Sequence, residues 1–386
     1  MGVLFDANER RLKAGAPDYF FASSWRKQGE DTWTIHLTDS EPGKANYLSP
    51  GDRFVLLSRR GNGAFLMAGT RDSVLENVTV HASPTLTVSL TGSDRMTVRK
   101  LAITYRAGTT RLIASDGDGI HCQQNRRGLL MENCLFVGLC DDGVNIYAPP
   151  LIVKQVMSST QIAVTDFSPV RAGDKLQIFD PQQGIIRGEP TVTAVEVRDG
   201  LQVVTIDQPV DGVVAGEDHR TADTVFNLSA SGEGYVIRNN HFRNHRRYGL
   251  NLRAGDGLIE NNTFEDLGGC GISVGNEPGW PEGPAASNVN IRNNHFIGGA
   301  YSAGYGDGKS GPAISICGLS LHGLARPPLL RGIRIENNRF TRAADPAIAI
   351  RSARDVVVQN NFKDDANDEL VSVHVEASDA VQTDSK

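Results

Sequence analysis

Five stretches decide the fold: YVIRNNHF (235–242), GLIENNTF (257–264), VNIRNNHF (289–296), IRIENNRF (333–340) and VVVQNNF (356–362). Each is an apolar-alternating strand followed by Asn-Asn and then Phe. Weaker copies, VLENVTV (74–80), MTVRKLAI (96–103) and LLMENCLF (129–136), carry the pattern upstream. First asparagines are 22 residues apart from Asn239 to Asn261 and 23 from Asn337 to Asn360. The 32 residues from Asn261 to Asn293 read as one turn plus a loop, and the 44 from Asn293 to Asn337 as two turns. Short strands at such a period, joined by Gly and Asn, are what a β-solenoid coil requires. Alternation turns Ile, Val and Phe inward, where each coil buries them only against its neighbours. Asparagine tolerates a left-handed backbone at a tight bend, and stacked amides can bond from coil to coil. The expected fold is all-β, a right-handed parallel β-helix.

Two stretches break this rhythm. Residues 151–225 alternate in segments such as LIVKQV, TQIAVTDF and LQVVTI, separated by turn residues, and predict a small antiparallel β-barrel inserted between coils. AGDKLQIF (172–179) resembles PGDRFVLL (50–57), so residues 1–65 are expected to form a second small barrel of that kind. The remaining divisions are β-helix coils over 66–150 and 226–370 and a C-terminal tail over 371–386.

Composition narrows the function. The chain has 386 residues, 39% hydrophobic content and a formal net charge of −6, with no Lys/Arg block, which argues against nucleic acid as a partner. No run approaches the roughly 20 apolar residues of a membrane span. The opening MGVLFDANERRLKAG has no apolar leader core, so either the protein stays in the cytoplasm or a leader lies upstream. Five cysteines show no metal-ligand spacing and are read as small buried hydrophobes. An uncapped solenoid end exposes strand edges, which favours a homo-oligomer or a further N-terminal segment.

The densest polar chemistry lies in SDGDGIH (115–121) and CDDGVNI (140–146). Asp118 and Asp141 are 23 residues apart, about one coil, which stacks them roughly 4.8 Å apart in a parallel sheet. Asp116 and Asp118 share a strand face. Asp141 and Asp142 diverge in a straight strand, and a bend at Gly143 brings both to one side. Crowded carboxyls cannot all ionise at neutral pH, which supplies an acid beside carboxylates that hold water, the division of labour of a glycosidase. The same cluster suits a calcium-dependent polysaccharide lyase, with Arg126, Arg127, Arg246 or Arg247 as its base, although the spacing does not demand a cation.

At these residues the sequence resembles glycoside hydrolase family 110, the exo-acting α-1,3-galactosidases. The likeness is carried by DGDGIH (116–121), CDDGVNI (140–146), NHRRYGL (244–250), RAGDGLIENNTFEDLGG (253–269) and GNEPGWPEGPA (275–285). It implies an inverting hydrolase that removes terminal α-1,3-linked galactose from a glycan without a cofactor or metal, with Asp118 as general acid and Asp141 with Asp142 holding the water. It also implies a secreted or periplasmic protein. Asp116 and His121 join the candidates as neighbours. Asn145, Arg246, Arg247, Tyr248 and Arg253 are candidates for lining the same face, with each arginine taken singly read more readily as a surface charge. The loop 275–285 interrupts the repeat, which makes Trp280 a sugar-stacking candidate and Asn276 and Glu277 hydroxyl-binding ones.

Two other readings keep the scaffold. A polygalacturonase-like hydrolase calls for an Asn-Thr-Asp run before the paired aspartates, where this chain has DGDG, and a Gly-His-Gly run one coil later; the similar SLHG (320–323) comes too late. A non-catalytic carbohydrate-binding β-helix accounts for the repeat and leaves the carboxylates unexplained.

Overall fold

The computed structural model describes residues 1–38, 43–302, 311–364 and 369–384. It is a parallel β-helix of three long sheets, one strand of each sheet per coil. The first sheet runs from Phe65–Ala68 through Val88–Thr91, Ile120–Gln123, Val144–Tyr147, Leu250–Leu252, Ile272–Gly275, Ile314–Cys317 and Ile348–Arg351 to Val373–Glu376. The other two contain the strands before and after each Asn-Asn pair, such as Val236–Arg238 and His241–Arg243.

The Asn-Asn-Phe signature divides into three physical jobs. The first asparagine of each pair takes the left-handed backbone, with φ of 59° at Asn239, 57° at Asn261, 55° at Asn293, 57° at Asn337 and 54° at Asn360. The second is buried and forms a ladder: Asn240, Asn262, Asn294 and Asn338 each donate their side-chain amide to the next Oδ1, at 2.9–3.0 Å, ending on Asn361. The phenylalanines stack inside, Phe136 on Phe242, Phe264, Phe296 and Phe340, with centroids 4.9–5.1 Å apart.

Several expectations change. Asn290–Arg292 pairs directly with Arg334–Glu336, so the 44 residues between their asparagines form one coil with a long excursion, not two coils. Residues from 371, expected as a tail, carry the strands Val373–Glu376 and Asp379–Thr383, which pair with Ile348–Arg351 and Ala353–Gln359 and continue the solenoid. Gly143 does not supply a left-handed bend; a side chain there would meet Phe242 Cδ1 at 2.7 Å, so its smallness lets adjacent coils close. Four cysteines are buried, Cys317 partly so, and all five are free thiols.

Residues 151–227 form a seven-stranded antiparallel sheet around its own apolar core of Leu151, Val164, Ile178, Val192 and Val225. A bridge between Lys175 and Thr191 ties strands near its two ends, which curls it toward a barrel. Among the described residues of 1–65, expected as a similar barrel, there are instead two separate antiparallel pairs, Gly2–Phe5 with Arg53–Leu56 and Ala22–Lys27 with Trp33–Leu37. This segment docks on the solenoid: Val3, Phe5, Leu12 and Leu57 bury against Cys140, with Leu112, Ile113 and Tyr301 around them. Among the described residues no helix is long and apolar enough to cross a membrane.

Candidate active site

Ile120 pairs with Val144 and His121 with Asn145. That register sets Asp142, not Asp141, over Asp118, because the coil here is one residue longer than the expected period. The Asp142 backbone N–H donates to Asp118 Oδ1 at 3.3 Å. Asp141 precedes the pleat and turns its carboxyl to the same spot, so that one oxygen from each of Asp118, Asp141 and Asp142 lies within 4.8 Å of the others. All three are buried, at 8%, 7% and 4% exposure.

Their surroundings differ. Asp118 Oδ2 accepts from His121 Nδ1 at 2.6 Å, and His121 Nε2 meets the Tyr147 hydroxyl at 3.1 Å. Burial opposes charge on this imidazole, but the hydrogen bond and charge of Asp118 outweigh it and raise the His121 pKa. Asp141 is buried too, which works against its charge, yet Arg246, Arg247 and Arg59 together hold it below the ordinary carboxylate range. The Arg246 Nη2 and Arg247 Nη1 atoms each sit 3.4 Å from Asp141 Oδ1, and Arg59 pairs with Oδ2. Asp142 feels Arg247 too, but that pull is outweighed. It accepts from the Tyr248 backbone N–H at 3.3 Å and from Asn251 Nδ2 at 3.1 Å. Burial, followed by the negative charges of Asp141 and Asp118, pushes it well above the ordinary range.

The site thus sets a carboxyl that holds its proton more tightly than usual beside one that gives it up more readily. A reaction that uses the Asp142 proton weakens as pH rises through that raised pKa. We therefore expect an alkaline limb in kcat/KM above the normal carboxylate range, moving to lower pH in Asp141→Asn, where one repelling charge is gone. A flat alkaline profile in both proteins contradicts this assignment.

Other candidates separate clearly. Asp116 is buried but stands apart from the cluster, its Oδ2 accepting from the Ser58 backbone N–H at 2.7 Å. Arg246 and Arg253 are buried, at 1% and 5% exposure, so the surface-charge reading fails for them. Arg246 Nε donates to the Cys140 carbonyl at 2.6 Å, which fixes its fork beside Asp141. Arg247 is half-buried, and the Tyr248 backbone rather than its ring meets Asp142. Arg253 lies 3.5 Å from Ser273 Oγ and 3.8 Å from Glu277. Asn145 is buried on the strand beside His121. Asn276 bonds the Leu319 backbone through both ends of its amide, which anchors its loop. Trp280 is 72% exposed at the tip of its loop.

Sequence reasoning missed Asp18, Arg59, Tyr147, Asn251 and Glu282. Tyr147 and Asn251 were accessible in principle, since the first is two residues from Asn145 on one strand face and the second pairs with Asn145 in the next coil. Glu282 stood within the quoted loop. It is 9% exposed, and burial raises its pKa against the pull of Arg253 and His121. Asp18 and Arg59 carried no local signal. A cavity of about 630 Å³ opens elsewhere, between Glu9–Arg11 and the third sheet at His241 and Arg243, away from the aspartates.

Residues 225–383 match the family model described as a right handed beta helix region. The alpha-1,3-galactosidase B of Akkermansia muciniphila is 28% identical over 261 residues, covering 65% of this chain and 32% of that protein. The alpha-1,3-galactosidase B of Bacteroides thetaiotaomicron is 27% identical over 340 residues, 85% of this chain and 54% of that protein. That of Parabacteroides distasonis is 27% identical over 320 residues, 77% and 50% of the two chains. The chain thus spans from about a third to about half the length of these curated relatives.

Proposed function

We propose that this chain is an exo-acting glycoside hydrolase that releases terminal α-1,3-linked galactose with the carboxyls of Asp118, Asp141 and Asp142. The observation that carries the reading is the convergence of three buried carboxyls within 4.8 Å, two of them with surroundings that push their pKa values in opposite directions. The relatives' names supply the sugar and the linkage.

The division of labour departs from the one expected from the resemblance. Asp118 has both oxygens engaged, Oδ2 with His121 Nδ1 and Oδ1 with the Asp142 backbone N–H, which leaves it poorly placed to hand a proton to a leaving group. The proton donor then comes from the consecutive pair, with Asp142 holding the proton before substrate enters. Asp118 and Asp141 are left to grip and deprotonate water. Glu282, Asn145 and Arg253 border this spot and suit sugar hydroxyls, and the exposed Trp280 suits stacking at the rim.

Inversion remains our reading of the stereochemistry. Oxygens within 4.8 Å are closer than the roughly 6.5–9.5 Å between carboxyls typical of inverting sites and nearer the ~5–5.5 Å of retaining ones. Against that, neither carboxylate is a free nucleophile: Asp118 is tied to His121 and Asp141 to three guanidiniums. The same guanidiniums count against the calcium lyase, since a cation placed among these oxygens meets three positive charges. We expect free galactose from an aryl α-galactoside and from α-1,3-digalactoside, the β-anomer first by proton NMR, at a rate unaffected by chelator. Failure to release galactose from both substrates defeats the proposal. An α-anomer formed first makes one carboxylate a nucleophile, and chelator loss restored by calcium favours the lyase.

A further inference from the structure

Asp141 is held by cations that come from two distant parts of the chain. Arg246 and Arg247 reach it from the turn before Leu250–Leu252, and Arg59 reaches it from the N-terminal segment. The two groups are not equivalent. Arg246 and Arg247 also pair with Asp18, Arg247 Nη2 at 3.1 Å, so their two positive charges are shared between two carboxylates. The ion pair of Arg59 is with Asp141.

Taken without Arg59, the Asp18, Arg246, Arg247 and Asp141 set is electrically neutral. Beside it stand Asp142 and Asp118, next in the chain the Cys140 thiol, and near that thiol Asp116. Any negative charge on these works against ionisation of Asp141. Arg59 supplies the cation that tips this balance. Its delivery is built into the packing: Leu57 is buried against Cys140, and the Ser58 N–H is bonded to Asp116 at 2.7 Å. Arg59 itself adopts a left-handed backbone, φ 45°, which turns its side chain off the path of the preceding strand.

We propose that Arg59 is a positioning residue of the aspartate site, and that the N-terminal segment exists in part to carry it there, keeping Asp141 charged so that the acidic proton stays on its neighbour. The inference rests on the hydrolase reading for its consequence in catalysis, and on geometry alone for its effect on Asp141.

The test compares Arg59→Met and Arg59→Lys in the full chain. The direct readout is the Asp141 carboxyl resonance, followed by carbon-13 NMR across a pH series with Asp141→Asn to assign it. In Arg59→Met the Asp141 midpoint is expected to rise by about one pH unit, since one close opposite charge is removed and two remain. Arg59→Lys is expected to recover most of that shift. The acid limb of kcat/KM for an aryl α-galactoside moves by the same amount, while the melting temperature changes little, because Arg59 is 36% exposed. An unmoved Asp141 midpoint in Arg59→Met overturns the inference whatever happens to activity. A moved midpoint in a protein that releases no galactose upholds it and sinks the hydrolase reading instead.

Discussion

Asparagine placed singly at Asp118, Asp141 or Asp142 is expected to lower turnover at least about a hundredfold, the usual contribution of a general acid or base, while each protein still folds. The three losses have different physical origins, and stability separates them. In Asp142→Asn the amide keeps one acceptor oxygen where the parent offers two, Oδ1 to the Tyr248 N–H and Oδ2 to Asn251 Nδ2, so one of those contacts is lost. That variant should still be about as stable as the parent at neutral pH, because the parent has to take up a proton at this carboxyl on folding and the amide does not. Asp118→Asn leaves His121 without its anionic partner, and the raised imidazole pKa falls back. The sign of that linkage is definite. A group whose folded pKa is raised adds stability in full below its unfolded pKa and loses it as pH rises through the folded value. The variant's deficit is therefore largest below about pH 6.5. Asp141→Asn removes the charge that three arginines surround and is the least stable of the three. Parent-like turnover in Asp141→Asn and Asp142→Asn together removes the site. Parent-like turnover in Asp118→Asn removes only its water-holding role.

The second large effect falls on folding. Arg246→Ala should destabilise the protein by about 3–5 kcal/mol, measured by denaturant unfolding, since breaking a buried ion pair leaves its partner charged without compensation. Arg246 is 1% exposed and meets Asp18, Asp141 and the Cys140 carbonyl at once. Its loss strands polar groups on both sides of the junction between the N-terminal segment and the solenoid. Arg247→Ala, at a half-buried position, should cost much less because solvent reaches the vacated place. Equal costs for the two substitutions would mean that burial is not what gives Arg246 its weight.

The repeat by itself determined the solenoid. Strand alternation, the Asn-Asn turn and the following Phe are local instructions, and each has one good outcome when coils stack: left-handed turn, amide ladder, aromatic column. The aspartate motifs were legible for the same reason, since residues one coil apart in sequence become neighbours in space. Local reading failed wherever a one-residue difference in coil length mattered. It put Asp141 over Asp118, whereas the pairing of Ile120 with Val144 selects Asp142. It also counted two coils between Asn293 and Asn337, because period alone cannot tell an extra turn from a long excursion. What only the tertiary structure decided is the electrostatic surroundings of the cluster. Burial and guanidiniums from residues 59, 246 and 247 set Asp141 and Asp142 apart, and those residues meet because the N-terminal segment buries its apolar face beside Cys140. Nothing in the spacing of Arg59 or Asp18 encodes that contact; it follows from packing between parts of the chain separated by up to 229 residues.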